Sequence, residues 1–242
     1  MTVSLVLVSA CGRIDFEARG SASDAAHDDG TAVGPVSWVK TFVETGGGNP
    51  TLPYTFTASA TAGDAVVLQV FCASNNAPTG VTLAAPGWTF TQLGAIVGST
   101  ASGYWGTSFG AIAPDAAPAT FTVTWPGATP CNFIDELGDE FAGAAPSGGA
   151  ATFDAHAELI SSGECTTSLT TRDANEAVWA ACTINTVISV GAGYTKSADD
   201  SDGDWSEYRL TADPANTVEA VEFVTVNTTD DYVVTAVAIK PG

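Results

Sequence analysis

The segments DAVVLQVFCAS at 64–74 and EAVWAACTIN at 176–185 each begin the same series of motifs. In the first series they are followed by PGWTF, SGYWGTSFGAIA, ATFTVTW and FIDELGDEFAGA, and in the second by GAGYT, WSEYRLTA, TVEAVEFVTV and DYVVTAVAIK. Order and spacing correspond, and Gly87-Trp88-Thr89 matches Gly193-Tyr194-Thr195. Such self-similarity predicts two similar structural halves.

Strand patterns extend outward from these segments. TFTVTW at 120–125 places Phe121, Val123 and Trp125 on one face and threonines on the other, as a half-buried strand requires. The runs at 64–71 and 231–240 are continuously apolar, which indicates central strands covered on both sides. Turn residues separate the short segments, and no stretch keeps a helical period. We therefore predict an all-β antiparallel sandwich with almost no helix.

A set of short motifs runs through both halves. The motifs are Glu140-Phe141-Ala142-Gly143, Phe153-Asp154-Ala155, Glu176-Ala177-Val178, Gly191-Ala192-Gly193-Tyr194-Thr195, Glu207-Tyr208 and Val237-Ala238-Ile239-Lys240. Together they resemble the β-sandwich modules of many secreted bacterial proteins, which have jelly-roll, concanavalin- or lectin-like folds and are often appended to extracellular enzymes or surface proteins. The resemblance implies a jelly-roll sandwich of two similar halves, and it implies no particular chemistry, because a fold does not determine a function.

The N-terminal region predicts export. Residues 1–10, MTVSLVLVSA, are too short to span a bilayer and fit the apolar core of a signal peptide. Val8-Ser9-Ala10-Cys11 resembles a bacterial lipobox, and the following residues resemble mature lipoproteins of myxobacteria-like Gram-negative bacteria. No Lys or Arg precedes the apolar run, so we expect a truncated lipoprotein signal whose true translation start lies upstream. The alternative is a buried N-terminal strand with an ordinary cysteine.

The predicted organisation has three parts. Residues 1–10 are the signal, residues 11–34 are a flexible tether beginning with lipidated Cys11, and residues 35–242 form a single β-sandwich domain. The expected location is the cell envelope, with the protein lipid-anchored at the outer membrane or cell surface, or secreted. Stable anchoring requires more than one acyl chain, and the lipid would be the only membrane contact.

The charge balance excludes some partners. The 242 residues include 7 Lys+Arg and 27 Asp+Glu, which gives a formal net charge of −20. Binding to nucleic acid or anionic lipid depends on Lys and Arg that release counterions from phosphate. We therefore expect no nucleic-acid partner, and we interpret the acidic surface as a source of solubility.

Four cysteines remain beyond the lipobox. We predict disulfides Cys72–Cys131 and Cys165–Cys182, because an exported protein with an even number of cysteines usually oxidises them in pairs. Cys165 and Cys182 are symmetric about Asp173-Ala174, as the arms of a hairpin would be. A zinc site is the poorer alternative, since no C-x-x-C spacing exists.

The loop ADDSDGDW at 198–205 is the candidate metal site. Asp200, Asp202 and Asp204 alternate, and hard oxygen ligands so spaced suit Ca²⁺. The spacing is not that of an EF-hand, and a solvated acidic loop is the simpler alternative. Bound ions often neutralise carboxylates in such loops.

Exposed aromatic rings are the candidate ligand-binding residues. Trp88, Tyr104 and Trp205 lie in or beside predicted loops, where flat rings could contact a sugar. The alternative for each is burial, since Trp is highly buried on average.

Catalytic arrangements are less well supported. Asp154, His156 and Glu158 share one predicted strand face, which we interpret as the wet face of an amphipathic strand. Glu136 and Glu140 are about 13 Å apart on a strand, farther than glycosidases require, so a solvated acidic strand is expected there. We therefore assign no catalytic residues.

These observations favour a non-catalytic cell-surface lipoprotein module. It would bind glycan or a surface protein through its loops, or serve a structural role. The alternative is a secreted carboxylate- or Ca²⁺-dependent hydrolase of the sandwich class.

Overall fold

The computed structural model describes residues 35–183, 187–200, 203–226 and 229–242. The predicted signal, the tether with Cys11, and Asp202 lie outside these residues. Within the described residues, no helix has the length and apolar character required to cross a bilayer.

The first half contains nine strands arranged in two sheets. The strands are β1 (Ser37–Gly48), β2 (Tyr54–Ala58), β3 (Ala65–Ala73), β4 (Thr82–Ala84), β5 (Thr91–Gln92), β6 (Val97–Ser99), β7 (Tyr104–Ile112), β8 (Ala119–Thr124) and β9 (Phe133–Ala142). The first large sheet has the order β1-β9-β3-β7-β5, with β6 also paired to β7, and the first small sheet has the order β2-β8-β4.

A short 3₁₀ helix, Gly149–Ala151, leads into the second half. Its strands are β10 (Phe153–Ser162), β11 (Cys165–Thr170), β12 (Ala177–Thr183), β13 (Val187–Ser189), β14 (Thr195–Asp199), β15 (Trp205–Leu210), β16 (Val218–Thr225) and β17 (Asp231–Ile239). The second large sheet has the order β10-β17-β12-β15-β14, and the second small sheet has the order β11-β16-β13.

The two halves repeat one strand order. In each half the first strand pairs with the last, and the last pairs with the third, as in β1-β9-β3 and β10-β17-β12. Every strand pairing described is antiparallel. The predicted all-β antiparallel sandwich of two similar halves is confirmed, while its jelly-roll class and the single domain at 35–242 stay predictions.

Three apolar cores hold the sheets together. The first, around Phe121 and Trp125, fills the first half. The second, around Tyr232 and Phe223, fills the second half and also includes Phe71 of the first. The third contains Leu137 from the first large sheet and Trp179 from the second, so it lies where these two sheets face each other. Each large sheet is therefore covered on both faces, as the continuously apolar strands predict.

Strand β3 shows how the pattern produces this arrangement. Val66 and Leu68 enter the first core, whereas Ala65 and Val67 enter the third. Successive side chains point to opposite faces of a strand, so a run whose only polar side chain is Gln69 suits a sheet buried on both sides.

Disulfides join Cys72 to Cys131 and Cys165 to Cys182, the two predicted pairs. Cys131 lies just before β9, which is the neighbour of β3 and of Cys72 in the ladder. The hairpin expected for the second pair is wrong, because β11 pairs with β16 and β12 pairs with β15 and β17. This bond instead ties the second small sheet to the second large sheet.

The contact between β7 and Phe153 predicts that one methyl group added at Gly110 destabilises the fold. A Cβ at Gly110 of β7 would lie 2.5 Å from Cε2 of Phe153, which is buried in the third core. We expect Gly110→Ala to lower the free energy of unfolding by about 1–3 kcal/mol through overpacking, measured by urea denaturation. The control is Gly47→Ala in β1, where a Cβ meets nothing within 4 Å. Equal stability of the two variants would contradict the packing described.

Candidate metal centre at the junction of the halves

Strand β9 carries four acids, and all of them are buried. Asp135, Glu136, Asp139 and Glu140 are each at most 1% exposed. The expectation of a solvated acidic strand is wrong, because β9 lies between β1 and β3 and is covered on both faces. Burial makes each carboxylate costly unless it is paired, hydrogen-bonded or protonated.

Asp139 is supplied with donors from both halves. Its Oδ1 accepts a hydrogen bond from Nε1 of Trp38 at 2.9 Å. Its Oδ2 accepts from Nε1 of Trp179 at 2.6 Å, and from Oγ of Ser197 and Oγ of Ser206 at 2.6 and 3.0 Å. Burial raises the pKa of Asp139, and the four hydrogen bonds oppose that rise. The carboxylate thus connects β1 and β9 to β12, β14 and β15.

Asp135 lies on the same face of β9 as Asp139, but among the described residues it has none of the N–H or hydroxyl donors that Asp139 has. Neither of its carboxylate oxygens accepts a hydrogen bond from an N–H or O–H group of the described residues. It faces Asp200 and Asp204, and ligand atoms of the three side chains lie within 4.8 Å of one another. Burial, together with the charges of Asp204 and Asp200, raises the pKa of Asp135 to about 12.

The turn between β14 and β15 presents the other two carboxylates. The backbone N–H of Asp204 donates to Oδ1 of Asp200 at 2.9 Å, and the N–H of Asp200 donates to the carbonyl of Asp204 at 3.1 Å. Gly203 has a φ of +92°, which suits a glycine in this tight turn. The structure thus brings together Asp200 and Asp204 of the predicted site, while Asp202 lies outside the described residues.

A glycine borders the three carboxylates. Gly46 of β1 is the register partner of Asp135. A Cβ at this position would lie 2.0 Å from Oδ1 of Asp135 and 2.9 Å from Oδ2 of Asp200. The close approach of both side chains therefore requires glycine at position 46.

The sequence pattern does not predict Asp135 as a partner of the loop aspartates. The residue lies in β9, far from Asp200 in sequence, and only the packing of one half on the other brings them together. One signal was present: β9 aligns with the apolar run DYVVTAVAIK of the second half, so acids in β9 occupy positions that are apolar in the repeat.

A second acidic group has its own donors and cation. Asp154, Asp173 and Glu176 also place ligand atoms within 4.8 Å of one another. Glu176 accepts hydrogen bonds from the backbone N–H groups of Arg172 and Asp173 at 3.2 and 3.0 Å. Nζ of Lys240 lies 2.8 Å from Oδ2 of Asp173. The described residues thus supply this group with one cation and two backbone donors.

The histidine of β10 contacts an acid and not the hydroxyl of Ser108. Oγ of Ser108 donates to Oε1 of Glu158 at 2.7 Å, and Nδ1 of His156 lies 3.0 Å from Oε2 of the same glutamate. The acid stands between serine and histidine, so the imidazole is not placed to take the serine proton, as a triad requires. The cleft beside His156 holds about 470 Å³, and its described lining residues include Thr170, Arg172 and Asn216 but no acid.

The three predicted aromatic residues differ in exposure. Trp88 is 9% exposed and packs in the first core, with ring centroids 5.4 Å from Phe90 and 5.1 Å from Phe121, so its predicted exposure is wrong. Tyr104 and Trp205 are half-buried. Burial and then the charges of nearby Asp230, Asp231 and Asp204 raise the pKa of Tyr104. Since Trp205 follows Asp204 in the chain, both half-buried rings lie near the acidic turn.

No family model, curated protein or solved structure matches this chain.

Buried carboxyls outside the cluster predict an unusual pH dependence. Burial is the main cause that raises the pKa of Asp64 to about 6, of Glu176 to about 7 and of Glu207 to about 8. A carboxyl whose pKa is higher in the folded state than in the unfolded state stabilises the fold most at low pH. This contribution to the free energy of unfolding is fully present below the unfolded pKa and is lost as pH rises through the folded pKa. In EDTA, the melting temperature should therefore fall by at least about 5 °C between about pH 5 and pH 8.

Differential scanning calorimetry across this range measures the effect. Glu207→Gln should reduce the fall in melting temperature at the high end of this pH range, because the pKa of Glu207 is the highest of the three groups. A melting temperature that rises with pH over the same window would show that these carboxyls are not held protonated by the fold.

Proposed function

We propose that the protein is a non-catalytic lipoprotein module of the bacterial cell envelope, which binds glycan through the end of the sandwich that carries Tyr104 and Trp205. The observation that carries this proposal is the position of these two half-buried rings near Asp204, at the turn between β14 and β15. Flat aromatic faces offer a large contact area for the C–H faces of sugars.

A rigid frame supports this assignment. Each half has one disulfide, and the third core together with the Asp139 hydrogen bonds joins the two large sheets. Loops held by such a frame bind a ligand with little loss of conformational entropy.

Export and anchoring belong to the same proposal. Two disulfides are compatible with an extracellular location, where thiols oxidise. A lipid on Cys11 and a tether to residue 34 would hold the sandwich near the membrane. The pairing of the first and last strand in each half supports the jelly-roll class, since Greek-key connections bring such strands side by side.

Trp205 is positioned for a defined contact. Its ring packs against the second core, and Nζ of Lys196 lies 4.0 Å from the ring centroid. Lys196 also pairs with Asp199. The ring therefore has the core on one side, and polar groups of both charges lie beside it, where they can bind the hydroxyls of a sugar.

A glycan array probed with the purified protein tests this function. We expect signal for a subset of neutral glycans, and we expect Trp205→Ala to reduce that signal at least about tenfold, as loss of a central aromatic contact does. Val39→Ala, which shortens an exposed apolar side chain at the start of β1, is the matched control and should keep the signal. No signal for the wild-type protein with or without Ca²⁺ would overturn glycan binding and favour the purely structural role.

A further inference from the structure

The two carboxylates on one face of β9 differ in how the fold compensates their charge. Asp139 accepts four hydrogen bonds, whereas Asp135, only 1% exposed, accepts none from the described residues. A buried carboxylate is stable only when it is paired, hydrogen-bonded or protonated. The groups that face Asp135 among the described residues are two further acids, so the described part of the chain supplies neither a cation nor an N–H or hydroxyl donor to this carboxylate.

The positions of the three carboxylates indicate how Asp135 is stabilised in the folded protein. We infer that Asp135, Asp200 and Asp204 bind one divalent cation, Ca²⁺, which clamps β9 of the first half to the β14–β15 turn of the second half. This site goes beyond the glycan-binding function and does not depend on it.

The distances suit a shared ion. Ligand atoms of the three side chains all lie within 4.8 Å of one another. Oxygens on opposite sides of one calcium ion are about 4.6–5.2 Å apart, since each Ca–O distance is about 2.3–2.6 Å. The three carboxylates can therefore reach one ion without movement of the strands.

The donor set selects the class of ion. All three ligands are carboxylates, and the group contains no His or Cys, which zinc prefers. Mg²⁺ keeps most of its waters and requires near-ideal octahedral geometry, whereas Ca²⁺ accepts several carboxylates in flexible geometry. Asp135 is almost fully buried, so an ion that exchanges its water for protein oxygens fits this position better.

The backbone of β1 contributes the room that the site needs. Gly46 stands opposite Asp135, and a side chain there would overlap the carboxylates of Asp135 and Asp200. Gly46 thus lets β1, β9 and the turn converge at one point.

Calcium titration of the EDTA-treated protein tests the site. Isothermal titration calorimetry should show binding with a dissociation constant of about 1 mM or tighter, the range of extracellular calcium modules. Excess Ca²⁺ should raise the melting temperature by at least about 3 °C at pH 7. Asp135→Asn, which preserves the shape of the side chain, should abolish both responses.

Two further variants make the test decisive. Asp173→Asn alters the other acidic group, which already has Lys240, and it should leave calcium binding unchanged. Asp200→Asn changes a side chain that is less buried than Asp135, and it should weaken calcium binding at least tenfold. This variant replaces Asp135→Asn in the test if Asp135→Asn does not fold. No heat and no thermal shift for the wild-type protein would overturn the site. An undiminished response in Asp135→Asn, or its loss in Asp173→Asn, would also overturn it. A silent glycan array beside a normal calcium response would contradict only the glycan function.

Discussion

The hydrogen bonds that Asp139 accepts are the interaction on which the arrangement of the two halves depends. Indole N–H groups of Trp38 and Trp179 approach the carboxylate from different large sheets, and two serines of the second half complete its shell. Apolar packing in the third core is non-directional and would tolerate small shifts of one sheet against the other. A buried charge with directed donors does not tolerate them, so it sets the relative position of the two sheets.

Strand β9 must compensate four buried acids, and it does so in different ways. Glu140 accepts from the backbone N–H of Thr61 and pairs with Lys40. Burial raises the pKa of Glu136 well above its ordinary value, which favours the uncharged form of this side chain. Asp139 has its four donors, and Asp135 faces the acidic turn. Folding of this strand is therefore linked to protons and, through the proposed site, to calcium.

Much of the fold could be predicted from local pattern, and the site could be predicted only in part. The repeat, the largely apolar β3 and β17 and the Cys72–Cys131 pair follow from sequence, because they depend on alternation and strand order. The Cys165–Cys182 bond forms without the hairpin that its symmetric spacing indicates. The acids of β9 were misassigned, since alternation shows which side chains share a face but not whether a second sheet covers it. Asp200 and Asp204 are local neighbours, whereas Asp135 joins them only through tertiary packing.

Urea unfolding in EDTA at neutral pH, comparing Asp139→Asn with Asp135→Asn, tests the central claim most directly. The two substitutions are chemically identical and lie on one face of one strand. The two substitutions should change the free energy of unfolding in opposite directions. Asp139→Asn should lower it by about 2–4 kcal/mol, because an amide cannot accept from all four donors. Asp135→Asn should gain at least about 1 kcal/mol, because it removes an uncompensated acid. Destabilisation of similar size in both variants would contradict the account.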